Sequence, residues 1–292
     1  MRTPELDVVF AGSAQLAESP LYDATADALL WVDIMVGSAH RMQLSTREHE
    51  SIELGQPIGA LFLRRRGGFA YGLRDGLAVS DTFAGPRTFV TATQRDEPDK
   101  RMNDGKADAE GRLWVGTMGI DDVGHRGTLF RIDPDYRETP MVTGLSIPNG
   151  LCWSLDQKQM YFVDSELGGV EVFDYEAATG TIGNRRTLFT LPRGMGVGDG
   201  MTIDDSGCLW IAHFDGSAVN RYTLTGAIDR TIALPVSKVT SCAFGGPSYD
   251  QLFITTASVG LSEEARAREP LAGAVFVTTP GARGFAANPF GG

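Results

Sequence analysis

Glu18, Asn103, Asn149 and Asp199 are four oxygen-bearing side chains that recur at nearly one phase of a repeat running through this chain. Two carboxylates and two amides brought to one point make a hard donor set. Such a set favours one divalent cation, calcium or magnesium first by hardness, and also admits manganese, ferrous iron or zinc. Taken singly, each of these residues could instead bond its own neighbouring backbone at a strand end. The recurrence of all four at one phase favours a shared site.

The elements that must position them are short strands. An apolar core returns as Leu30-Trp31-Val32-Asp33, Phe69-Ala70-Tyr71-Gly72, Leu113-Trp114-Val115-Gly116, Met160-Tyr161-Phe162-Val163, Leu209-Trp210-Ile211-Ala212 and Leu252-Phe253-Ile254-Thr255, with first residues 39, 44, 47, 49 and 43 apart. A period of roughly 40 to 50 residues built from short strands and turns is that of a β-propeller blade. Six cores predict an all-β, six-bladed β-propeller occupying residues 1–292 as a single domain. Asn103 and Asp199 lie ten residues before their cores, Asn149 eleven and Glu18 twelve. Equivalent positions of a radial repeat surround one axis, so these side chains converge where the innermost strands begin. Gly59 and Cys242 hold the corresponding phase in the second and sixth units.

One unit reads in full. Residues 149–154 form the innermost strand, 160–164 the second, 169–175 the third and 185–191 the outermost. The last unit supplies 239–244, 251–256 and 273–278 but lacks a convincing fourth strand. Residues 6–11 precede the first unit's innermost strand and are apolar enough to fill that gap. Closure by pairing of the N-terminal strand with the C-terminal blade is therefore expected, and it would remove open sheet edges. Asp23, Asp108, Ser154 and Asp204, five residues past each ring position, together with Gly111 and Gly207, read as structural hairpin-turn residues.

Composition removes other functions. A formal charge of −11 argues against a nucleic-acid or anionic-membrane surface, both of which need clustered Lys and Arg. The tight basic run Arg64-Arg65-Arg66 precedes Gly67-Gly68 and reads as a solvated hairpin turn. Cys152, Cys208 and Cys242 are widely spaced and suit buried apolar positions rather than a disulfide or thiolate metal site. The four histidines show no metal-type spacing. Apolar runs are too short to cross a bilayer, and residues 1–7 lack a signal-peptide pattern, so a cytoplasmic location is the expectation.

Arg101-Met102-Asn103-Asp104-Gly105-Lys106, followed by Gly111-Arg112 and Gly116-Thr117-Met118, resembles the most recognisable stretch of the senescence-marker-protein, regucalcin and gluconolactonase family. Ala17-Glu18-Ser19-Pro20, Pro148-Asn149-Gly150-Leu151, Asp199-Gly200-Met201 and Thr240-Ser241-Cys242-Ala243-Phe244-Gly245-Gly246 fall in the right order around it. The resemblance implies one divalent cation held by Glu18, Asn149 and Asp199, calcium foremost, and a small-molecule sugar lactone touched by Arg101, Asn103 and Asp121. Regucalcin-like members tend to carry Glu where this chain has Asp121. The implied activity is hydrolysis of an aldonolactone to its aldonic acid, with Asp199 as the catalytic proton acceptor. No G-x-S-x-G elbow or paired Cys and His offers a covalent nucleophile. Two alternatives share the ring: a phosphotriesterase or phosphofluoridate hydrolase, and a non-catalytic calcium-binding propeller.

Overall fold

The computed structural model describes residues 5–93, 95–121 and 124–292. Among these the strands form six four-stranded sheets with antiparallel pairing throughout. Their innermost strands are Ala17–Asp23, Ile58–Leu63, Lys100–Ala107, Pro148–Trp153, Val197–Ile203 and Val239–Gly245. Each packs on the next and the last on the first, which closes the cycle of a six-bladed propeller. The apolar cores read from sequence are the second strands, from Ala28–Asp33 in blade one to Gln251–Thr256 in blade six.

Sheets hydrophobic on both faces must be covered on both, and here each blade covers its neighbours. Six clusters of buried side chains lie between adjacent blades, as where Leu30 and Val32 of blade one meet Leu61 and Tyr71 of blade two. Blade closure follows the sequence expectation. Leu6–Phe10 pairs with Val275–Thr278, giving blade six one strand from the start of the chain and three from its end. Phe10 also carries this strand onto blade one, with its ring 5.2 Å from that of Trp31 and 4.6 Å from that of His49.

The strand boundaries correct the phase count. In blade one the second strand starts at Ala28, two residues before the apolar Leu30, and in blade four at Gln159. Glu18, Gly59, Asn103, Asn149 and Asp199 thus each stand ten residues before Ala28, Phe69, Leu113, Gln159 and Leu209. Blade six departs. Its register slips at Thr240, between Val239 and Ser241, while Cys242 pairs regularly with Ile254. Cys242 therefore lies below the ring, because the count from an apolar core ignores where the strand itself begins.

Two smaller expectations are corrected as well. The outermost strand of blade four runs over Thr181–Thr190, because a tight turn ending in Gly180 (φ 65°) brings Thr181 back onto Glu176. Its polar, exposed start hid it in the sequence. The basic turn at Arg64 is only partly solvated: Arg64 Nε donates to the Gly292 carbonyl and Arg65 N to that of Phe290, so the turn receives the end of the chain. Among the described residues no helix is long and apolar enough to cross a membrane.

Candidate functional site

Glu18, Asn103, Asn149 and Asp199 stand where their strands break register. Pairing slips between Glu18 and Leu21, Met102 and Gly105, Pro148 and Leu151, and Gly198 and Met201. A bulge bends its strand and re-aims the side chain, which here delivers a polar residue from each of four blades to one mouth of the channel. All four are at most 6% exposed, so each needs a partner. Close approach of the bulges explains the adjoining glycines: a Cβ on Gly200 would collide with the Ser241 side chain. In blade two, a Cβ on Gly59 would meet the carbonyls of Met102 and Asn103, which leaves that blade no room for a ligand.

The amides form a chain of hydrogen bonds. Arg101 Nη1 donates to Asn103 Oδ1 (2.5 Å) and to the Met102 carbonyl (3.2 Å). Asn103 Nδ2 donates to Asn149 Oδ1 (2.7 Å) and to the Pro148 carbonyl (2.9 Å). Asn149 Nδ2 donates to Ser165 Oγ (2.8 Å), whose proton goes to the Gly198 carbonyl (2.6 Å). Since the Ser165 hydroxyl has spent its one proton, it can only accept from Asn149. The amide is thereby oriented with Oδ1 inward, and one lone pair of that oxygen remains after the Asn103 bond.

The carboxyls are grouped without a full complement of cations. Glu18 Oε2 accepts from Ser19 N (2.9 Å), and Glu18 shares a side-chain hydrogen bond with Asp199. Ser19 adopts φ 52°, a left-handed conformation that a serine holds at a cost. Burial raises the Glu18 pKa to about 8, with Asp104 adding repulsion and Arg101 opposing it. Asp199 is pushed well above the usual carboxylate range by burial and then by Glu18 and Asp104. Asp104 is itself raised by burial, against the pull of Lys106. Like charges held this close in a dry site cannot all ionise unless something positive joins them.

The ring residues read from the sequence are thus brought together, and Arg101 is nearer than its place two residues before Asn103 suggests. Its guanidinium bonds Asn103 directly and acts on both Glu18 and Asp199. Asp121 is not one of the buried residues. It lies on the loop after Leu113–Gly119, at the Arg101 end of the blade because Lys100 pairs with Gly119. It is exposed and ion-paired at 2.7 Å with Arg126, which also holds Asp99. Two further residues of the site carry no mark in the sequence repeat. Asp104 follows Asn103, and the bulge lets consecutive residues both act near the channel. Ser165 sits in a single 3-10 turn after a second strand, where no repeat signal marks it.

Among the described residues no group of three or more His, Cys, Asp or Glu is arranged to ligate a metal. The donor set that fits one is mixed: two buried carboxyls raised chiefly by burial and then by neighbouring like charge, and an amide oxygen with a spare lone pair. A divalent cation among them would compensate the charge that burial leaves unbalanced, and the oxygen-only set suits a hard ion.

Residues 16–258 match the family described as the SMP-30/gluconolactonase/LRE-like region. Regucalcin of Xenopus laevis is 35% identical over 305 residues, covering all of both chains. Among solved structures, a calcium-binding protein, regucalcin, from Agrobacterium tumefaciens superposes with a TM-score of 0.94 at 26% identity over 99% of each chain. A luciferin-regenerating enzyme does so with a TM-score of 0.91 at 30% identity, again over 99% of each. The shared blades, the ring and this full-length likeness place the chain in the SMP-30/gluconolactonase/LRE-like family.

Proposed function

We propose that this chain is a divalent-cation-dependent lactonase that opens a sugar (aldono-) lactone to its aldonic acid. The observation that carries this reading is the buried Glu18–Asp199 carboxyl pair beside the inward-facing Asn149 amide oxygen and the Arg101 guanidinium. Glu18, Asn149 and Asp199 would hold the cation, with calcium or magnesium favoured by hardness and calcium foremost by likeness to a calcium-binding regucalcin, and manganese, zinc or ferrous iron as alternatives. When bound, such an ion supplies Lewis acidity toward a carbonyl oxygen and lowers the pKa of water.

The remaining chemistry belongs to the side chains. Water adds to the lactone carbonyl carbon while its proton passes to Asp199. The bond from that carbon to the ring oxygen then breaks, and the departing oxygen takes a proton, leaving a hydroxy acid. Asn103 fixes Asn149 and places Arg101, whose planar guanidinium presents several N–H donors to sugar hydroxyls and to developing negative charge. Asp121, at the rim with Arg126, is proposed to touch the sugar where it leaves the channel mouth.

Two variants test the division of labour. Asn103→Ala removes the donor to Asn149 and the acceptor of Arg101 together. It should lower kcat by about 10²–10³-fold and weaken cation affinity by about 10–100-fold, while still binding one cation per chain at saturation. Arg101→Ala should raise KM and lower kcat as well, because it removes both contacts to the sugar and a donor to developing charge. Unchanged lactone kinetics in both variants, or faster turnover of a phosphotriester than of any aldonolactone by the wild type, contradicts the reading.

A further inference from the structure

Beyond the ring, away from Arg101, the channel widens into a chamber of about 390 Å³. All six innermost strands line it through residues that follow the bulges, such as Leu21, Phe62, Lys106, Trp153, Ile203 and Phe244. Glu18, Arg101, Asn103, Asn149 and Asp199 do not. Its far end is crossed by residues 285–288, which are fastened on both sides. On one side Asp205 N donates to the Arg283 carbonyl and Gly284 N to that of Tyr249. On the other, Phe290 N donates to the Leu63 carbonyl and Gly291 N to that of Gly111. Between these anchors, among the described residues, Asn288 Nδ2 to the Ala107 carbonyl at 3.3 Å is the one hydrogen bond. Phe285 is half exposed, so the strap lies across the mouth without sealing it.

The lining is predominantly apolar and carries two charged residues, Asp104 and Lys106. Asp104 accepts from Gly105 N and acts on Glu18 and Asp199, which sets it on the ring side. Lys106 is half-buried, and among the described residues its ammonium donates once, to the Met201 carbonyl at 2.7 Å. Two of its three N–H donors are then left for a ligand. A mostly apolar cavity of a few hundred Å³ with a convergent polar group has the character of a ligand site.

We propose that this chamber is a second binding site for a medium-chain monocarboxylate, whose head group accepts from Lys106 Nζ and whose hydrocarbon body lies against Phe62, Trp153 and Phe244. An amine would have to sit beside the Lys106 ammonium. A polyhydroxylated acid would leave its hydroxyls unpaired against the apolar wall.

The test is titration of the cation-loaded protein with octanoate, octylamine and gluconate, read by calorimetry and by the fluorescence of Trp153. Octanoate should bind saturably, one per chain, and the other two should not. Lys106→Met should weaken octanoate by at least about tenfold, the loss of a charge-assisted hydrogen bond. Ala286→Trp, on the strap, should also abolish binding by filling the mouth, and it keeps the test decisive if Lys106→Met fails to fold. Octylamine binding as well as octanoate, no binding of octanoate at all, or unchanged affinity in the folded variants overturns the proposal. Octanoate binding is read directly and not through turnover, so its failure leaves the lactonase reading standing.

Discussion

Asp199→Asn should cut lactone hydrolysis by about 10²–10⁴-fold, the range for loss of a positioned proton acceptor. The substitution keeps the shape of the side chain and removes its charge and its basicity together. It also takes away one of the two carboxylates proposed to hold the cation, so cation affinity should fall with turnover. A pH signature accompanies it. In the cation-free protein, burial holds Glu18 near a pKa of about 8 against an ordinary value of 4.5, and Asp199 is raised as well. Between those values the folded state binds more protons than the unfolded state, so stability falls as pH rises from about 4.5 through about 8. A cation must displace these protons, and its affinity should therefore climb over the same window. Thermal melts of cation-free protein should show a downward slope with pH that the cation suppresses and that Asp199→Asn makes shallower. Wild-type turnover with full cation occupancy in the variant would remove Asp199 from the mechanism.

The largest effect on stability should come from Asp108, which is fully buried and takes no part in the proposed chemistry. Its Oδ1 accepts from Glu110 N and Arg112 N, and its Oδ2 from Arg112 Nε (2.7 Å), Trp114 Nε1 (3.0 Å) and the Tyr175 hydroxyl (2.8 Å). Arg112 then reaches Tyr175 and the Ala177 carbonyl, so this carboxylate fastens blade three to blade four. Asp108→Ala would strand a buried guanidinium and an indole N–H at once. Breaking a buried pair in this way costs about 3–5 kcal/mol, or a drop of about 5–8 °C in Tm for a chain of this size. Catalysis measured well below the transition should be nearly unchanged, which separates scaffold from site. An unaltered melting curve would show that the corner is dispensable.

The propeller was legible because its repeat is physical: every second strand is buried on both faces and must be apolar, so Leu113-Trp114-Val115 and Leu209-Trp210-Ile211 announce themselves. The ring was legible for a related reason, since Glu18, Asn103, Asn149 and Asp199 occupy one position of a radial unit. What the repeat does not encode was missed. Asp104 acts at the ring because a bulge suspends strand alternation, and Ser165 orients Asn149 from a turn with no counterpart in phase. Cys242 lies lower than its phase predicts, because blade six slips at Thr240 rather than two residues later. The strap over the far chamber carries no periodic signal either. Residues 283–291 are held by backbone hydrogen bonds to loops and strand ends of other blades, and such bonds leave little mark on side-chain pattern.

Aldonolactone hydrolysis by chelated protein, followed by proton release in a pH-stat as single divalent cations are returned, tests the central claim most directly. The expected result is negligible turnover without cation and recovery that saturates at one equivalent per chain, with calcium among the restoring ions. Undiminished turnover in verified cation-free protein would contradict it, as would one tightly bound cation per chain with no hydrolysis of any five- or six-carbon aldonolactone.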